Sequence, residues 1–138
     1  MKRVVLDASA MMAFFEGRTG ADKVEQLINQ AVEGKRELLM SVVNWGEVYY
    51  SIWHERGREE AERVLAEIAQ LPIEIVDAGL ELTKLAAEFK AQHKLPYADG
   101  FAAALARQSK AALLTTDKDF AEVGKQVSIL WVGEPRGD

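Results

Sequence analysis

The run Val4-Val5-Leu6 ends on an aspartate, and a second apolar run, Ala8 to Phe15, follows at once with only Ser9 as polar relief. The first run is short, uninterrupted and β-prone, the pattern of a strand buried on both faces. The second is rich in Ala, Met and Phe and suits a buried helix. Asp7 falls at the junction, at the carboxyl end of an inner strand. An uncompensated carboxylate is costly there. Either the following helix N-terminus satisfies it, or a cation does.

The rest of the chain alternates in the same way. Gly17 to Gly20 makes a turn. Ala21 to Glu33 has apolar residues at helical spacing, with Gly34 fitting its C-cap. Leu38 to Val42 reads as a strand, and Ser41 as the N-cap of a helix from Val42 to Arg56. Gly57 breaks that helix, and another runs from Arg58 to Gln70. Ile73 to Val76 is a short strand near a sheet edge, and Asp77 can cap a helix from Ala78 to His93. Pro96 suits the first turn of a helix ending at Gln108. Ala111 to Thr115 is a strand, Asp119 to Val123 a short helix, and Val127 to Val132 the last strand before a polar tail.

Strands separated by helices throughout predict a parallel α/β sheet covered on both faces. Ligands in such sheets bind at the carboxyl ends of the strands. With no internal repeat and no Pro/Gly/Ser-rich linker, residues 1–138 read as a single domain.

Composition narrows the function. The formal charge is −5, so bulk charge does not make this a nucleic-acid coat, although clustered carboxylates in a metal site would account for much of the excess. There is no cysteine, hence no disulfide framework and no thiolate metal site, which fits a cytoplasmic protein. Met1-Lys2-Arg3-Val4 opens like a signal peptide, but Asp7 interrupts the apolar run, so none is expected. No apolar run is long enough to cross a bilayer, and no membrane association is expected.

Four carboxylates stand out. Asp7 ends the first strand, and Glu47 lies about two turns into the helix after the second. Asp99 lies in the first turn after Pro96, and Asp117 directly follows Leu114-Thr115. In a parallel sheet all four positions lie on one edge. Each of Asp7, Asp99 and Asp117 alone could be a helix cap or dipole partner, worth about 0.5–2 kcal/mol. Glu47 lies too deep in its helix for that. Capping does not explain four acids converging, which would repel and raise one another's pKa unless a cation neutralises them. Oxygen ligands without Cys and with little His point to Mg²⁺ or Mn²⁺, and so to phosphodiester chemistry.

Other chemistries lack their parts. Ser9 has no paired base in reach by sequence, and there is no Gly-rich phosphate loop or dinucleotide fingerprint. The first strand ends Asp7-Ala8-Ser9, without the second adjacent acid of a receiver-like or phosphatase-like domain. His54 and His93 read as surface residues. Trp45, Tyr49 and Trp53 form one helical stripe, either core or an apolar groove or dimer face. Phe14 and Phe15 raise the same question. Arg18, Lys23, Lys94 and Lys118 lie in or near loops that could border the crevice, and Lys118, between Asp117 and Asp119, is the best phosphate contact.

Four motifs carry a resemblance: Val4-Val5-Leu6-Asp7-Ala8-Ser9-Ala10, Ser41 to Tyr50 around Glu47, Tyr97 to Ala104 around Asp99, and Leu113 to Phe120 around Asp117. In order and spacing they resemble those of PIN-domain ribonucleases, and the length is that of VapC-type toxins of type II toxin–antitoxin systems. The resemblance implies a PIN-like three-layer α/β/α fold with a central, mainly parallel sheet of about five strands. It implies Asp7, Glu47, Asp99 and Asp117 as catalytic metal ligands, with Asp119 a candidate to share the fourth role. Ser9, Asn44 and Thr115 would orient carboxylates or bound water. The implied activity is Mg²⁺- or Mn²⁺-dependent endoribonuclease cleavage of single-stranded RNA by metal-activated water. The implied partners are an antitoxin, packed into an apolar groove, and a second copy in a homodimer. The rival is a non-catalytic PIN-like module that binds RNA or protein.

Overall fold

The computed structural model describes residues 2–131. Five strands, β1 (Lys2–Leu6), β2 (Arg36–Ser41), β3 (Ile73–Val76), β4 (Ala112–Thr115) and β5 (Ile129–Trp131), form one sheet in the order β3-β2-β1-β4-β5. Every neighbouring pair is parallel. The helices are α1 (Ala8–Phe15), α2 (Ala21–Val32), α3 (Val42–Arg56), α4 (Arg58–Ile68), α5 (Leu80–Gln92) and α6 (Tyr97–Gln108), with a 3-10 turn at Lys118–Val123.

Alternation along the inner strands builds the layers. Val4, Leu6, Leu38, Met40 and Leu114 pack on one face with Met11, Leu27, Ile52 and Val64 of α1–α4. Val5, Leu39 and Leu113 pack on the other with Phe89, Leu105 and Phe120 of α5, α6 and the 3-10 turn. The result is three layers, α/β/α. β1 is its axis, with Val4, Val5 and Leu6 no more than 1% exposed. Burying each such side chain contributes about 1.5–3 kcal/mol.

From β1 the chain winds outward to β2 and β3, then crosses back through α5 and α6 to β4 on the other side of β1. Right-handed crossovers in opposite directions put their helices on opposite faces. The direction switches between β1 and β4, which opens a crevice at their carboxyl ends. Asp7 follows β1 directly and Asp117 follows β4 by two residues.

Several boundaries differ from the sequence expectation. β1 and β2 begin earlier, at Lys2 and Arg36, because backbone pairing continues where side chains leave the core. Arg3 and Glu37 pair across this polar end, at 2.6 Å. β2 stops at Ser41 rather than Val42, since the Ser41 hydroxyl accepts from the Val43 N–H and opens α3. α2 and α4 end earlier, at Val32 and Ile68; Gly34 lies just past the cap with φ +78°. Asp77 caps nothing. α5 starts at Leu80, which is 92% exposed, and its N-cap is Gly79. β5 is described from Ile129 to Trp131; Val132 and the polar tail lie outside the described residues. Among the described residues no helix is long and apolar enough to cross a membrane.

Candidate metal centre

Asp7 caps α1. Its Oδ1 accepts from the Ala10 N–H at 2.9 Å and the Ser9 hydroxyl at 2.8 Å, and its Oδ2 accepts from the Thr115 hydroxyl at 2.5 Å. The cap role weighed for Asp7 is the one observed, the carboxylate being pinned by donors from two strand ends. Thr115 is fully buried and also accepts from the Asp117 N–H at 2.9 Å. Ser9 in turn accepts from the Thr116 N–H at 3.0 Å. This lattice stitches the end of β1 to the end of β4.

Across the crevice, buried Asn44 donates from Nδ2 to Glu47 Oε1 at 3.2 Å and to the Ala98 carbonyl at 3.1 Å. One side chain thus ties α3 to the residue before Asp99. Asp99 is 6% exposed, and its Oδ2 is buried without a hydrogen-bond partner, as is Asn44 Oδ1. Asp117 caps the 3-10 turn, accepting from the Asp119 N–H at 2.9 Å.

Asp99, Asp117 and Asp119 each bring a carboxylate oxygen within 4.8 Å of the others. Asp7 and Glu47 stand outside this tightest group but share its field. Burial pushes the Asp7 carboxyl up to about 6, against the pull of its hydrogen bonds and with a further push from Asp117. Burial also raises Glu47, partly offset by Asn44. Asp99 is pushed up to about 8, first by burial and then by the charges of Asp117, Asp7 and Glu47. Four segments far apart in the chain thus deliver mutually repelling carboxylates to one crevice.

The donor set fits a hard divalent cation. It is all oxygen, it contains a buried and unpartnered Asp99 Oδ2, and its like charges destabilise one another without a counter-ion. Neither histidine competes. His54 is exposed on α3. His93, expected at the surface, is half-buried against Phe89 and pairs with Glu122 and Gln126. Lys118 is exposed beside the acids. Lys23 does not border the crevice; it lines a cavity at the opposite edge of the sheet, because α2 starts there. Arg18 is paired with Glu16 at 2.8 Å.

A family model for the PIN domain matches residues 4–126. The chain belongs to the PIN-domain family. The fold expected from the four motifs, a PIN-like three-layer α/β/α architecture, is the one observed. No curated protein sequence matches the chain. Among solved structures it resembles VapBC2 from Rickettsia felis bound to a DNA fragment from their promoter, with 16% identity, TM-score 0.73, and 94% of this chain and 98% of that one covered. It also resembles VapC20 from Mycobacterium tuberculosis, a sarcin-ricin loop-cleaving toxin, with 16% identity, TM-score 0.67 and coverage of 88% and 95%. DNA-bound VapBC from Salmonella typhimurium matches with 13% identity, TM-score 0.72 and coverage of 95% and 98%. At these identities the likeness is one of PIN fold.

Proposed function

We propose that this chain is a metal-dependent endoribonuclease that cleaves single-stranded regions of RNA and acts as the VapC-type toxin of a toxin–antitoxin pair. The observation that carries it is the convergence of Asp7, Glu47, Asp99 and Asp117 around a buried, unpartnered Asp99 oxygen. Family membership supports nuclease chemistry in that crevice.

Asp7, Glu47, Asp99 and Asp117 would hold Mg²⁺ or Mn²⁺, with Asp119 close enough to share the place of Asp117. When bound, the cation supplies charge neutralisation at the phosphate and acidifies the attacking water. The protein residues do the positioning. Ser9 and Thr115 fix the rotamer of Asp7, and Asn44 holds Glu47 against α6. Burial and the neighbouring acids favour the protonated form of Asp99 without the cation, so proton and cation compete for this carboxyl. Lys118 meets a phosphate oxygen of the substrate.

The toxin role rests on the company of the fold, since toxin–antitoxin complexes recur among its solved relatives. The aromatic stripe supports protein partners. Trp45 is partly packed into the core, whereas Trp53 is 44% exposed and stacks edge-on against Tyr49 at 5.5 Å. We assign such apolar surface to an antitoxin segment and to the second copy of a homodimer.

Cleavage of unstructured RNA with Mg²⁺, Mn²⁺ or EDTA tests the enzyme. Cleavage should require metal and fall by at least about 100-fold in Asp99→Asn, the loss of roughly 3 kcal/mol of transition-state stabilisation. Undiminished cleavage by Asp99→Asn, or cleavage in EDTA, overturns the mechanism. RNA bound but left uncut with metal present would identify a binding module instead.

A further inference from the structure

The acids lie at the carboxyl edge of the sheet. At the amino edge, where β1, β2 and β4 start and α6 ends, a cavity of about 850 Å³ has the opposite character. Six cations line it: Lys2, Arg3, Lys23, Arg36, Arg107 and Lys110. No carboxylate lines it among the described residues. The chain holds only 17 Lys and Arg and is net −5, so this is segregation of charge rather than average surface. Of the six, only Arg3 is in an ion pair among the described residues, with Glu37. The guanidiniums of Arg36 and Arg107 are held by neutral acceptors, and Arg3 adds one to its Glu37 pair. Arg36 Nε donates to Gln30 Oε1 at 2.5 Å, Arg107 Nη1 to Gln126 Oε1 at 3.3 Å, and Arg3 Nη1 to the Ser109 carbonyl at 3.3 Å. Such partners orient a guanidinium without cancelling its charge. A concavity lined by one sign of charge focuses its field on an incoming polyanion.

We propose that this cavity binds backbone phosphates of the RNA substrate, remote from the bond that is cut. The choice of RNA rests on the ribonuclease function proposed above. A crevice of carboxylates offers a polyanion little attraction beyond its bound cation, and Lys118 is an exposed cation beside it, so further phosphate contacts elsewhere on the protein would add affinity. β1 joins the two regions. Its five residues span about 17 Å, within the length of a short RNA stem. A stem flanking the cut loop would reach from crevice to cavity along the side of the sheet.

The test reads binding separately from cleavage. In an Asp99→Asn background, fluorescence anisotropy measures affinity for a stem-loop RNA and for a dinucleotide, with and without Arg36→Glu plus Lys110→Glu. The double charge reversal should weaken the stem-loop at least about tenfold and reduce the slope of log affinity against log salt by about 2. Dinucleotide affinity should stay within about twofold, since a dinucleotide seated in the crevice is too short to reach the cavity as well. Arg36→Gln plus Lys110→Gln gives the same comparison if the reversal does not fold, and Arg36→Lys plus Lys110→Arg should retain affinity. Unchanged stem-loop affinity and slope, or equal losses for both RNAs, overturns the proposal. So does binding of tripolyphosphate by the cavity with no effect on RNA affinity. An uncleaving wild type whose stem-loop binding still depends on the cavity would sink the nuclease function alone.

Discussion

Asp99 concentrates the physics of the crevice in one side chain. Its carboxyl is pushed up to about 8 by burial and three neighbouring acids, while in the unfolded chain it titrates near 4. The metal-free folded state therefore holds this proton more tightly than the unfolded state does. Stability from this group is fully present below about pH 4 and is lost as pH rises towards 8. In EDTA, the melting temperature should fall between pH 5 and pH 8, and Asp99→Asn should melt higher than wild type at pH 8. A series of calorimetric scans checks this; a flat wild-type profile would contradict it. Asn44 is a positioning residue with a different signature. Asn44→Ala should cut cleavage about 10–100-fold and raise the Mg²⁺ concentration for half-maximal rate, because Glu47 loses its tether. Cleavage rates over a Mg²⁺ titration separate that from simple unfolding. The four acids could be singled out by sequence because each follows a strand or opens a helix, apart from Glu47, which has apolar neighbours. The bond from Asn44 to Ala98 could not, since it depends on how closely α3 approaches α6. The closeness of Asp119 to Asp99 is equally a product of tertiary packing.

At the scale of elements, α6 decides where Asp99 sits. Every residue from Asp99 to Ala106 is buried. A helix covered all round shows no amphipathic period, so its small residues carry the information instead. Gly100 is the sharpest case. A Cβ there would meet the Ala86 carbonyl oxygen of α5 at 2.8 Å, a backbone atom that cannot swing away. Gly100→Ala should therefore push α5 and α6 apart, at a cost of about 1–3 kcal/mol. Because Asp99 is the adjacent residue, cleavage should fall further than the folded fraction does. Urea unfolding beside a rate measurement at low temperature tests both parts; a variant as stable and active as wild type would refute the close approach. Elements were legible where apolar spacing was strong, as in α2 and the cores of β1 and β2. They were not where backbone pairing runs past the core, at Lys2 and Arg36, or where Asp77 mimicked a cap that Gly79 supplies.

For the whole molecule, the parallel sheet followed from alternating strands and helices, but the order β3-β2-β1-β4-β5 did not. Local sequence does not encode which side of β1 the crossover through α5 and α6 returns to. That crossover sets β4 beside β1 and so brings Asp117 to Asp7, giving the molecule an acidic edge that opposes its own folding. Divalent metal should reverse the opposition. A ligand that binds only the folded state stabilises it by mass action, about 2.7 kcal/mol at a hundredfold excess over Kd. Protons compete for the same oxygens, and Asp7 and Asp99 carry pKa values pushed up to about 6 and about 8. The metal-induced rise in melting temperature should thus be small at pH 5 and grow steadily to pH 8, as each carboxyl gives up its proton. The metal-free protein loses stability over the same interval, so the curves with Mg²⁺ and with EDTA should diverge. Asp99→Asn should largely close the gap at pH 8, having lost a ligand oxygen charge and one source of repulsion together. Paired thermal scans across pH, with Mg²⁺ or EDTA, measure this divergence. Parallel curves would mean that the four carboxylates do not share a cation.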